Sequence, residues 1–159
     1  MLSQSKVEYF NDLLATKLAA ANSVERRPNK WGCKLPETLV GDYLIMPLTS
    51  AKLLKSEGYL MNNCCRDYVD ECAELTYCLF SIRSRPGERL ATLGLTCNGG
   101  YWRVDQCFGP SNTEVLEETR VYLDEDGELQ EELFATDLYY VVHEVARLMN
   151  SNGRQKKSH

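Results

Sequence analysis

The sequence is short of the side chains that do most acid–base and metal chemistry. Only two histidines, His143 and His159, occur in 159 residues. No Cys-x-x-C pair is present, and the seven cysteines (Cys33, Cys64, Cys65, Cys72, Cys78, Cys97 and Cys107) follow no repeat. A zinc centre needs three or four converging thiolates or imidazoles, usually supplied in close pairs. No metal is therefore expected, and no cofactor is called for. The cysteines read as small core residues of a protein kept in a reducing compartment. No apolar run approaches the roughly 20 residues of a membrane span, so no membrane association is expected. The first residues, Met1 to Lys6, lack the apolar stretch of a secretion leader, and the expected location is cytoplasmic. A basic excess is missing too: the net charge is −5. That balance makes direct nucleic-acid binding a lesser expectation than protein binding.

What is present is the composition of one ordinary globular domain, 43% hydrophobic and 26% charged. We expect a single α+β domain over residues 1–150 and a disordered basic tail over 151–159. Val7, Phe10, Leu13, Leu14 and Leu18 place an amphipathic helix over about residues 5–21. Pro28, Gly32 and Pro36 break the chain into a loop, in which Trp31 is expected to bury against that helix. Tyr43 to Leu48 reads as a short strand ended by Pro47. Thr49 or Ser50 then caps a helix through Glu57, with Gly58 as its left-handed stop. A second helix over about 63–75 turns Cys65, Tyr68, Val69 and Cys72 inward.

Three alternating runs follow, over residues 77–83, 90–97 and 101–108, joined by Pro86-Gly87-Glu88 and Asn98-Gly99-Gly100. They predict an antiparallel meander of three strands or slightly more, with Trp102, Val104, Gln106 and Phe108 on one face. Ser111-Asn112-Thr113-Glu114 has capping-box spacing and predicts a helix to Leu123, broken by Asp124-Glu125-Asp126-Gly127. A last helix carries Leu138, Val141, Val142, Val145, Leu148 and Met149 on one face. The fold class is α+β, a small antiparallel meander packed with N- and C-terminal helices.

Several pieces of the central stretch, residues 48–112, carry a resemblance. They are Leu48-Thr49-Ser50, Glu57-Gly58, Met61 followed by x-x-Cys64, Tyr68, Phe80-Ser81-Ile82-Arg83, Ala91-Thr92-Leu93, and Gln106-x-x-Gly109-x-x-Asn112. In order and near spacing they resemble the PcfJ-like family, named for a conjugative-plasmid protein and found on plasmids and phages. The family typically has histidine just before the cysteine, in a His-Cys-Val-like run. Here Asn62-Asn63 stands there and Cys65 replaces the valine. Asparagine exchanges hydrogen bonds but does not titrate near neutral pH. The resemblance implies a fold and a mobile-element context rather than a reaction. The expectation it supports is a phage or mobile-element accessory protein that binds a host protein or ribonucleoprotein complex, as an anti-defence (anti-CRISPR-type) inhibitor. The alternative is a ligand-binding domain, or an enzyme, acting on nucleotides or nucleic acid.

The candidate site residues divide accordingly. Asn63, Tyr68, Ser81, Arg83, Thr92, Gln106 and Asn112 either line a pocket or, for the strand residues, form the solvent face of a one-sided sheet, with Asn112 a helix cap. Cys64 and Arg83 are the candidates for catalysis. A Cys64 nucleophile needs a base, and His143, with Asn63 or Asn112 as third member, is what the sequence offers. From Glu114 to Asp137, ten acidic residues face Arg120 alone. Glu117, Glu118, Asp124 and Asp126 are either a solvated face or an acidic partner surface that imitates nucleic-acid phosphates. Arg26, Arg27, Lys30 and Lys34 around Trp31 form the basic counterpart, a possible grip on a nucleic-acid backbone.

Overall fold

The computed structural model describes residues 29–157 together with Asn11, with side chains as far as Ser151. The helix expected over residues 5–21, and with it Arg26 and Arg27, lies outside the described residues. An antiparallel sheet of five strands in sequential order forms the centre: β1 (Thr38–Val40), β2 (Tyr43–Pro47), β3 (Tyr77–Ser84), β4 (Arg89–Asn98) and β5 (Tyr101–Phe108). The meander is thus larger than three strands, because the Tyr43 segment pairs with β3 and the short run before it adds an edge.

Both faces of this sheet are covered. On one, Ile45, Cys78, Phe80, Ile82, Ala91, Leu93 and Leu95 pack with Val141, Val142, Val145 and Met149 of α3 (Asp137–Lys157). The helix stripe read from the sequence is the one buried, and α3 takes in most of the segment expected as a tail. Each such fully buried side chain contributes about 1.5–3 kcal/mol. The other face meets α1 (Ala51–Met61), a 3-10 turn (Cys65–Tyr68) and the short α2 (Val69–Ala73), around Leu48, Leu54, Cys65, Cys72, Tyr77 and Leu79. Ser81 and Thr92 are consequently buried, not solvent-facing. Trp31 packs into this second cluster, its indole N–H donating to the Leu48 carbonyl at 3.2 Å.

Two local rules decide the ends of α1. Ser50 Oγ accepts the Leu53 amide at 3.1 Å, which makes it the N-cap. The stop is Asn62, at φ 51°, and not Gly58, through which the helix continues. Gly58 instead sits in a tight space: a Cβ there would lie 3.2 Å from the Asn63 carbonyl oxygen. The single helix expected over 63–75 is a 3-10 turn followed by the five residues of α2.

The helix expected from Ser111 to Leu123 is replaced by a hairpin of β6 (Glu117–Leu123) and β7 (Leu129–Ala135). Ser111 stands at φ 55° and Asn112 at φ 59°, left-handed values that no N-cap takes. Thr119, Val121 and Tyr122 favour the pleated strand. Asp124 then closes the turn, its Oδ1 accepting the amides of Asp126 at 2.9 Å and Glu128 at 2.8 Å. The predicted breaker is therefore the hairpin tip.

Candidate functional site

The site grows out of irregularities in the sheet. On β4, Leu95 pairs with Val104 while Gly94 pairs with Gln106, so Asp105 is an extra, bulged residue. The bulge reverses the alternation of β5. Trp102 and Cys107 join the core under α3. Gln106 and Phe108 turn to the α1 face, so the four residues expected on one face are split two and two. A second bulge, at Leu90, sets Arg83 opposite Arg89.

Gly94 leaves room for the ring of Tyr77 to cross the sheet; a Cβ there would stand 2.1 Å from the Tyr77 hydroxyl. That hydroxyl donates to Asp105 Oδ2 at 2.7 Å and accepts from Gln106 Nε2 at 3.1 Å. Burial, then the bond to Asp105 and its charge, push the phenol well above its ordinary range. Tyr68 stacks on the same ring, centroids 4.6 Å apart.

Beneath the helix runs a second network. Glu57, on the inner side of α1, has no exposed surface. Its Oε1 accepts Arg89 Nε at 2.8 Å and its Oε2 accepts the Thr92 hydroxyl, also at 2.8 Å. Because Thr92 donates to Glu57, it accepts from Asn63 Nδ2, at 3.1 Å. Asn63 Oδ1 in turn takes the Cys65 amide at 3.0 Å. Burial, and then the Glu57 charge, raise the Cys65 thiol to about 12. Arg83 donates to the buried Ser81 hydroxyl at 3.0 Å. Its pKa is lowered by burial and by the neighbouring Arg89 charge.

Between these networks opens a cavity of about 360 Å³. Its polar lining is Asn63, Cys64, Thr92, Gln106 and Asn112; Tyr68, Phe108, Leu79 and Cys65 complete the wall. Asn62 Nδ2 donates to Ser111 Oγ at 3.0 Å and so holds the end of α1 to the turn after β5. Six of the residues singled out from sequence thus meet in one place. Ser81 and Arg83 lie on the same sheet face without lining the cavity. Glu57, Arg89 and Tyr77, which hold the lining in position, were missed as site residues; the Glu57-Gly58 pair was the signal that pointed to the first of them.

The arrangement is suited to hydrogen bonding rather than proton transfer. Asn63, Gln106 and Asn112 bring carboxamides to the lining, while the Thr92 hydroxyl, its proton given to Glu57, keeps acceptor capacity alone. Cys64 is exposed at the rim. His143 is on the opposite side of the sheet, in a groove with Tyr101, Trp102 and Arg103, its Nδ1 2.8 Å from the Tyr139 carbonyl oxygen. A Cys64–His143 pair is therefore not assembled. Among the described residues, no cluster of metal-ligating side chains occurs. No helix among them is long and apolar enough to cross a membrane.

The acidic residues stand apart from the cavity. Glu117, Glu118 and Asp126 are exposed on the hairpin, Glu118 pairing with Arg120, while Asp124 is engaged in the turn. Lys30 is exposed on the loop that bridges to Ser50, with Trp31 turned inward beside it.

No match was found among curated proteins or among solved structures. A family model described as PcfJ-like protein matches residues 11–123, which is well over half of the chain. This protein belongs to the PcfJ-like family.

Proposed function

We propose that this domain is a recognition module whose cavity takes a planar, hydrogen-bonding heterocycle of the nucleobase class. One observation carries the reading: Asn63, Gln106 and Asn112, from three separate segments, line one cavity that Tyr68 and Phe108 also line. Amide side chains read base edges because each offers a donor and an acceptor side by side. Aromatic rings add sequence-tolerant stacking. Asparagine at position 63, where a histidine is typical of the family, favours binding over acid–base chemistry. Calorimetric titration with adenosine, cytidine, guanosine and thymidine tests it. At least one should bind, with a tenfold or greater loss in Asn63→Ala and Gln106→Ala. Binding of none of the four, or binding unaltered by both substitutions, refutes it.

A second reading rests on a different observation. The β6–β7 hairpin exposes four large apolar side chains on one face, Val121, Leu123, Leu129 and Leu133, each between 58 and 72% exposed, with Glu131 opposite Val121 and Glu117 on the same face. A two-stranded hairpin is marginal alone in water, and this one is strongly acidic. These features support a protein-binding role, in which an accessory protein of a mobile element blocks a defence or nucleic-acid-processing complex by imitating phosphates. Reversing Glu117, Glu118 and Asp126, and sparing the turn-forming Asp124, should abolish capture of a host complex; undiminished capture removes the reading.

A further inference from the structure

The cavity does not end at Asn63. The same residue forms part of a second, larger groove of about 880 Å³ on the outer side of α1, to which Asn62 also contributes. That groove is cationic. Lys52, Lys55 and Arg66 line it, all three exposed, and none has an ion pair among the described residues. Lys52, Lys55 and Tyr59 fall on one helical face, spanning about 10 Å at 1.5 Å per residue. Tyr59 is 86% exposed, an aromatic ring held out from the helix. Among the described residues no carboxylate lines the groove, and the Glu57 carboxylate of the same helix is buried and bound to Arg89.

We infer that this groove binds the phosphate backbone of a single-stranded nucleic acid, one base of which enters the adjoining carboxamide cavity. The inference rests on the pocket reading above and extends it from a heterocycle to a strand. A backbone-tracking row of cations beside aromatic platforms is how single strands are held without duplex geometry. Tyr59 supplies the stacking surface for a neighbouring base, and Asn63 stands at the junction between base and backbone. The net charge of −5 does not oppose this, because the acidity is concentrated between Glu114 and Asp137. The cationic face of α1 carries none of that run.

Fluorescence anisotropy with labelled ten-nucleotide oligo-dA and oligo-dT, on the full chain, tests the inference. One of them should bind more tightly than its free nucleoside. Three phosphate contacts predict an affinity loss of about 20-fold between 50 and 200 mM salt, from a slope near 0.7 per contact. The double substitution Lys52→Glu and Lys55→Glu should weaken the oligonucleotide at least tenfold, with Tyr59→Ala and Arg66→Glu acting in the same direction. All four positions are exposed, so folding is retained, and nucleoside binding should be unchanged in the same variants. Nucleoside binding without tighter oligonucleotide binding overturns the strand inference and leaves the pocket reading standing. So does oligonucleotide binding indifferent to charge reversal, or equal affinity for a duplex. Oligonucleotide binding that needs the lysines but not Asn63 overturns the joint site, while the pocket reading stands or falls on the nucleoside titration.

Discussion

Glu57 Oε1 lies 2.8 Å from Arg89 Nε, with the carboxylate wholly buried and the guanidinium about a quarter exposed. This pair joins α1 to β4, and through Thr92 it sets the orientation of Asn63. Burying a carboxylate is tolerated only when its lone pairs are filled. Arg89→Leu should therefore cost about 3 kcal/mol, the low end of the range for breaking a buried pair, since Arg89 is partly solvated. Adding Glu57→Gln should restore part of the loss, because the stranded charge is then gone. Urea unfolding of the two single variants and the double one checks this; purely additive losses contradict it.

Gly94 and Tyr77 form the second support of the cavity. Gly94→Ala places a methyl group against the Tyr77 hydroxyl, displacing the ring from Asp105 and leaving Gln106 without its partner. The expected destabilisation is about 1–3 kcal/mol, the usual cost of overpacking. Ligand binding should fall in parallel. A melting temperature equal to that of the parent protein would contradict the close approach.

The thiols should separate by environment. Cys64 is exposed, whereas burial raises Cys65, Cys72 and Cys107 each to about 12. Iodoacetamide at pH 8 should label Cys64 ahead of those three in the native protein, and all of them in urea. Each buried thiol holds its proton more tightly folded than unfolded. The stability this contributes is complete below the ordinary thiol value of 9.0 and is lost as pH rises toward 12. The denaturation midpoint should fall above pH 9. A midpoint flat to pH 11 would contradict burial of these groups.

Much of the frame was legible in the chain because period-2 and period-3.6 patterns report directly on faces. β3, β4, β5 and α3 all lie where those patterns placed them, although β5 departs from strict alternation at Asp105. The site was legible only in its members. Gln106 shares the cavity with Thr92 because of a bulge at Asp105 that no alternation announces, and Asn63 is aimed, through Thr92 on β4, by the Glu57 carboxylate of a helix that runs on through Gly58. Space and not backbone conformation sets that glycine apart, a distinction visible only once Asn63 is placed above it. The β6–β7 hairpin was misread because Ser111 to Glu114 copies the spacing of a helix start. The backbone of Ser111 and Asn112 is left-handed there, which composition alone does not reveal.

The central claim is that Asn63, Gln106 and Asn112 recognise one ligand together. The most direct measurement is nuclear magnetic resonance of the side-chain amide groups during titration with the best-binding nucleoside. The account predicts saturable shifts at Asn63, Gln106 and Asn112 with a common affinity, while Gln130, bound to Asp124, and Asn150, bound to Trp102, remain still. Shifts confined to residues outside the cavity, or three unrelated affinities at the three amides, would contradict it.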